Sequence, residues 1–97
     1  MRRVKERVSL EECKRRALSY LQEARERDPN ALSKASGVAG AIWPGVEFHA
    51  QGAGAAASRI LKHLERDGLV QWDAHNGDWG WRESTALVMG DAAGRKQ

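Results

Sequence analysis

Cysteine, proline, phenylalanine and tyrosine are scarce in this chain: its 97 residues include one cysteine, two prolines, one phenylalanine and one tyrosine. The lone cysteine, Cys13, cannot close an internal disulfide, which favours a reducing compartment. No apolar run approaches the roughly 20 residues that a membrane span requires. The charged N-terminus also lacks the apolar core of a signal peptide. The sequence therefore predicts a cytoplasmic protein with no membrane contact.

The sequence also lacks the residue patterns of catalysis and metal binding. It contains no Ser/His/Asp set, no glycine-rich phosphate loop and no cluster of His, Cys or carboxylate residues at ligand spacing. Glu47 and His49 are close in sequence, but alternate residues of an extended segment face opposite sides. We therefore expect no enzyme activity, no cofactor and no metal site.

Positive charge is in modest excess, with 16 Lys and Arg residues against 13 Asp and Glu residues. The excess is concentrated at the N-terminus, which carries Arg2, Arg3, Lys5 and Arg7. Such a segment is either a frayed, solvated end or a basic arm that lies along phosphates or in a minor groove. We expect a basic arm at 1–8, one folded domain at 9–89 and a disordered tail at 90–97.

A strong helix is predicted to begin after Ser9. Ser9 at the N-cap and Glu12 three residues later form a capping box, in which each side chain bonds the other residue's amide. Apolar residues then recur at helical spacing as far as Ala24. Because Asp28-Pro29 disfavours helical backbone, the helix should end near Arg27.

A second, weaker helix is predicted within residues 30–43. Ser33 can cap it, while two internal glycines each cost roughly 1 kcal/mol relative to alanine. The segment from Asn30 to Leu32 is also compatible with a short strand at the edge of a later hairpin. The sequence does not choose between these two readings.

The third predicted helix, at about 53–67, has the clearest division into two faces. Its apolar face contains Ala53, Ala57, Ile60, Leu61 and Leu64. Its opposite face contains Ala55, Arg59, Lys62 and Arg66. A helix with this pattern can pack on a core and still present cations to an anionic surface.

Residues 69–83 predict a β-hairpin whose turn is Asn76-Gly77, a sequence typical of a type I′ turn. A two-residue loop pairs Trp72 with Trp81 and places both on one face with Val70 and Trp79. We interpret this tryptophan face first as a lid over the core, and second as a partly exposed stacking platform. The hairpin tip contains an aspartate and no lysine or arginine.

The order of helix, short helix, helix and a hairpin that begins Gly-Leu-Val resembles the winged helix-turn-helix family of DNA-binding domains. The resemblance covers about residues 9–83, and its most specific part is the segment 58–70, SRILKHLERDGLV. It implies a mainly α fold with a small β-hairpin (α+β), with three helices plus a two- or three-stranded wing. It also implies that the helix at 53–67 reads the major groove.

On this resemblance the chain is a double-stranded DNA-binding protein and a small transcriptional regulator. Arg59 is the candidate for a bidentate guanine contact, while Lys62 and Arg66 are candidates for phosphate contacts. The full set of expected DNA-binding residues is Gln51, Ala55, Ser58, Arg59, Lys62 and Arg66 on the helix, His75 and Asn76 on the wing, and Arg2 and Arg3 in the arm.

The alternative is a winged helix that binds a protein, for example a phage protein that inhibits a host defence complex. Such a protein would use the tryptophan-rich hairpin, or the apolar segment 86–89, as its contact surface. A homodimer is compatible with both hypotheses. Because only DNA binding releases many counterions, the two hypotheses predict different salt dependence.

Overall fold

The structure is a computed structural model that describes residues 8–48 and 52–84 of the chain. Within these ranges three helices precede one antiparallel hairpin. The elements are α1 (Leu10–Arg27), α2 (Ala35–Ile42), α3 (Gly52–Arg66), β1 (Val70–His75) and β2 (Asp78–Glu83). The predicted α+β class is therefore confirmed, and the order of elements is consistent with a winged-helix-like layout.

Several predicted features lie outside the described residues. These are the N-terminal arm with Arg2 and Arg3, His49 and Gln51 ahead of α3, the apolar segment 86–89 and the tail at 90–97. The expected domain boundaries and the expected roles of these residues therefore stay predictions.

Helix α1 begins at the predicted cap. The Ser9 hydroxyl accepts a hydrogen bond from the Glu12 amide at 3.1 Å. The second half of the predicted capping box is not formed, because the Glu12 carboxylate instead accepts hydrogen bonds of 2.6 to 2.9 Å from Arg15 and Arg16. Arg16 also donates to the Ile42 carbonyl at 2.6 Å, which ties α1 to the end of α2.

These contacts predict that Glu12 makes stability depend on pH. Hydrogen bonds from Arg15 and Arg16 lower the pKa of Glu12 from 4.5 to about 2. Since the folded state holds the carboxylate more acidic than the unfolded state does, its contribution is present above pH 4.5 and is lost as the pH falls toward 2. We expect the free energy of unfolding, measured by urea titration, to fall more steeply over this range in the wild type than in Glu12→Gln. If the free energy of unfolding depends on pH equally in the two proteins, the ion pairs of Glu12 do not contribute to stability.

The second helix is shorter than predicted, and Ser33 does not cap it. Helix α2 begins after Lys34, which makes no side-chain cap hydrogen bond. Ser33 is buried, and its backbone pairs with that of Trp81 through hydrogen bonds of 2.9 and 2.8 Å, forming an isolated antiparallel bridge. The edge-strand alternative is therefore supported, one residue later than predicted. Pairing prevails over capping because buried backbone groups need hydrogen-bond partners.

Helix α3 packs against both other helices through its predicted apolar face. Ala57, Ile60, Leu61 and Leu64 are buried. Burial of one large aliphatic side chain contributes about 1.5–3 kcal/mol, so this face fixes the orientation of α3. The helix ends at Arg66, and Gly68, which has φ +80°, follows it; the Gly68 and Leu69 amides donate to the Glu65 and Leu64 carbonyls at 3.0 Å each. This Schellman motif turns the chain directly into β1.

The hairpin has the predicted register. Trp72 pairs with Trp81, and the turn residues Asn76 and Gly77 have φ values of 52° and 82°, as a type I′ turn requires. The interpretation of the tryptophan face as a core lid is wrong for two of its residues, since Trp72 is 51% and Trp79 is 56% exposed. Trp81 is 4% exposed because β2 lies between β1 and Ser33, whereas β1 is an edge strand.

A buried carboxylate anchors the base of the hairpin to α1. Glu83 is 4% exposed, and its two oxygens accept hydrogen bonds from Arg25 at 2.8 Å and from Gln22 at 2.9 Å. A buried charge is tolerated only with such partners. This contact and the Ser33–Trp81 bridge together hold the hairpin beside the helices.

Candidate functional site

The exposed face of α3 carries a line of cations. Ala55, Arg59, Lys62 and Arg66 are all exposed, as the spacing of three and four residues predicted. We call Arg59, Lys62 and Arg66 the α3 cation line. Because the opposite face of α3 is buried in the core, the line has a fixed orientation relative to the rest of the fold.

Two of the three cations of the α3 cation line have no acidic partner in the described part of the chain. Most other lysines and arginines there face an acid within 4.0 Å. Arg59 and Arg66 form no ion pair with any described residue, and Lys62 reaches only Glu65, at 4.0 Å. The charges of Arg59 and Arg66 are therefore available to attract an external anion, while Lys62 shares its charge with Glu65.

An acid at the end of α3 is compensated by α1. The Asp67 carboxylate lies 3.0 Å from the Lys14 ammonium. The hydrogen bond to Asp67 is also the main reason why the pKa of Lys14 is raised. Asp67 therefore subtracts little from the positive potential of the neighbouring cation line.

The acidic tip of the hairpin is compensated in the same way, by Lys34, a residue that was not predicted from the sequence to have a functional role. Lys34 donates to the Asp78 carboxylate at 3.0 Å and also to the Trp79 carbonyl. The hydrogen bonds from Lys34 and from the Trp79 amide lower the pKa of Asp78. The tip thus presents an ion pair rather than an uncompensated negative charge. Lys34 and Asp78 are 44 positions apart, so no local sequence signal indicates the pair.

The two predicted wing residues lie together at the hairpin tip. His75 and Asn76 are exposed, and their side-chain nitrogens are 3.3 Å apart. In residues 8–48 and 52–84, no hydrogen bond joins either side chain to α3.

An open cleft between α3 and the hairpin was not predicted from the sequence. It has a volume of about 470 Å³ and is lined by Ser58, Lys62, Glu65, Trp72 and Trp81. The two tryptophan rings meet edge to face, with centroids 5.4 Å apart and planes at 76°. The cleft thus brings two predicted DNA-binding residues, Ser58 and Lys62, next to an exposed aromatic ring.

Two further observations concern the described residues alone. No three His, Cys, Asp or Glu side chains among them are grouped as a metal ion would require. None of the helices they form is long and apolar enough to cross a membrane.

Comparisons with protein-family models, with curated proteins and with solved structures found no match to this chain. The site must therefore be interpreted from its own geometry and charge.

Proposed function

We propose that this chain is a winged-helix protein that binds double-stranded DNA, as a small transcriptional regulator does, with α3 in the major groove. The observation that carries the proposal is the α3 cation line, which is exposed and in which Arg59 and Arg66 form no ion pair with any described residue. An α-helix with side chains is about 10–12 Å wide, and the major groove of B-DNA is about 12 Å wide. The small residue Ala55 at the start of the exposed face lets the helix backbone approach closely.

Each residue of this surface suits a different part of the DNA. Arg59 would donate two hydrogen bonds to a guanine edge, since its guanidinium matches the O6 and N7 acceptors. Lys62 and Arg66 would contact phosphates, while Ser58 would hydrogen-bond at the groove edge. On the wing, His75 and Asn76 would reach the adjacent backbone or minor groove. Gln51, Arg2 and Arg3 lie outside the described residues and keep their predicted contacts.

Salt dependence tests this proposal. If Lys62 and Arg66 each neutralise a phosphate, log K should fall linearly with log salt concentration, with a slope of about −2 or steeper. The measurement is fluorescence anisotropy with a labelled random-sequence duplex between roughly 50 and 200 mM salt. Single-stranded DNA and RNA of the same length serve as comparison ligands. A slope near zero, or no binding at the lowest salt, would contradict DNA binding.

A second candidate function, protein binding, is favoured by the exposure of the hairpin tryptophans. Trp72 and Trp79 are 51% and 56% exposed, although large aromatic side chains are usually buried or covered by a partner. Aromatic residues of this kind are frequent centres of protein interfaces. A partner that co-purifies with the wild type and is lost in Trp79→Ala, together with no DNA binding at low salt, would favour this alternative. A homodimer is compatible with either function.

A further inference from the structure

We infer that the cleft between α3 and the wing holds an unpaired nucleobase, so that the protein prefers DNA in which a duplex continues into a single strand. This inference rests on the proposed DNA binding and names the DNA structure that the same surface selects. In this arrangement α3 holds the duplex, and the first unpaired base stacks in the cleft against Trp72.

The aromatic wall of the cleft suits a base. Trp72 is 51% exposed. Its edge-to-face contact with Trp81, at 76°, can cover at most one face of the Trp72 ring. Part of the indole surface is therefore open to a planar ligand. A base within an intact duplex is already stacked on its neighbours and cannot offer a face to the indole, whereas an unpaired base can.

The charged residues that line the cleft favour a neutral base over a phosphate. Its charges are one ammonium, Lys62, and one carboxylate, Glu65, which lie 4.0 Å apart. These charges balance, so the cleft itself suits a neutral group. Glu65 can accept from the exocyclic amine of cytosine or adenine, and the Ser58 hydroxyl can donate or accept.

Lys62 connects the cleft to the rest of the surface. It belongs to the α3 cation line and also lines the cleft, so it can contact the phosphate beside a stacked base.

The cleft volume of about 470 Å³ lies within the usual range for small-ligand sites, roughly 300–1,000 Å³. An acidic peptide would place its carboxylates against Glu65, so charge favours the neutral base as the occupant.

The experiment measures the affinity of the wild-type protein for three DNA probes. They are a fully paired duplex, the same duplex with a short single-stranded overhang, and the same overhang in which every base is replaced by an abasic site. The abasic probe keeps all phosphates and leaves the protein unchanged, so it isolates the base itself. We expect the overhang to bind about tenfold more tightly than its abasic counterpart, because stacking of one base on an aromatic side chain has an effect of this order. Overhangs of both polarities are measured.

Protein variants then locate the stacking site. Trp72→Leu should abolish the preference for the overhang and leave duplex affinity within about twofold of the wild type, because the cleft is separate from most of the cation line. Trp79→Leu is the matched control: Trp79 shares the hairpin face and is similarly exposed, but it does not line the cleft. Trp72→Phe should retain part of the preference because it keeps an aromatic ring.

Each outcome is decisive. Equal affinity for the overhang and its abasic form, with duplex binding intact, overturns the inference and leaves the proposed function standing. Absence of binding to every probe overturns both. A preference that Trp79→Leu and Trp72→Leu reduce equally overturns the cleft as the binding site. If Trp72→Leu fails to fold, the abasic comparison in the wild type still decides.

Discussion

Replacing the α3 cation line by alanine, in the variant Arg59→Ala/Lys62→Ala/Arg66→Ala, should weaken duplex DNA binding on the order of 100-fold at low salt. The same variant should reduce the magnitude of the salt slope by about two, because the phosphate contacts of Lys62 and Arg66 are lost and each removes about 0.9 released counterions. The three side chains are exposed, so their truncation should leave the fold intact. Anisotropy titrations at several salt concentrations measure both quantities, and circular dichroism checks the fold. Unchanged affinity of this variant for duplex DNA would contradict the DNA-binding proposal.

Comparing two variants that each lose one arginine distinguishes a specific DNA contact from an effect of net charge. Arg27, at the end of α1, is exposed and forms no ion pair with the described residues, as is also true of Arg59. Arg27→Ala therefore removes the same charge from a different surface. We expect Arg59→Ala to lose affinity and to relax base preference, and Arg27→Ala to do neither. Lys62→Ala should weaken binding to all sequences alike. Equal losses in the two arginine variants would indicate that only net charge matters.

The cation line could be predicted because it depends on helical periodicity alone. Once Ile60, Leu61 and Leu64 are assigned to the core, the geometry of an α-helix places Arg59 and Lys62 on the opposite side. The hairpin register was predictable for a similar reason, since Asn76-Gly77 fixes both the turn and the pairing beside it. In both cases the deciding information lies within one element of structure.

The cleft and the contacts between the hairpin and the helical part of the chain could not be predicted, because they depend on how separate elements pack together. The sequence indicates that Trp72 and Trp81 are paired, but not which side of α3 the hairpin folds against. The Lys34–Asp78 pair and the Arg25–Glu83 pair link positions 44 and 58 residues apart. Ser33 was assigned as a cap because local rules favour serine there, whereas its burial beside Trp81 follows from tertiary packing.

Gly80→Ala should displace the hairpin and destabilise the fold. A Cβ at Gly80 would lie 2.8 Å from the Ser33 carbonyl oxygen, 3.0 Å from the Ser33 nitrogen and 2.9 Å from the Leu32 Cβ. Two of these are backbone atoms of the segment that pairs with β2, so they cannot rotate away. Overpacking of this kind costs about 2–3 kcal/mol. We expect thermal unfolding to occur on the order of 10 °C lower than in the wild type.

Gly40→Ala is the matched control, with an effect of opposite sign. Gly40 is exposed on α2, and a Cβ there would meet nothing within 4 Å. Alanine in a helix interior is favoured over glycine by roughly 0.5–1 kcal/mol, so this variant should be more stable than the wild type. If Gly80→Ala is as stable as Gly40→Ala, the close approach of Ser33 to β2 does not exist in solution.

Gly80→Ala also tests whether the hairpin and α3 act as one binding surface. Loss of the Ser33–Trp81 bridge would shift β2, and with it the Trp72–Trp81 wall of the cleft, while α3 keeps its own packing through Leu61 and Leu64. At a temperature where Gly80→Ala remains folded, duplex affinity should therefore fall only by the contribution of His75 and Asn76 at the hairpin tip, whereas the preference for a single-stranded overhang should be lost. Equal losses of both would show that the hairpin contributes as much to duplex binding as the cation line does.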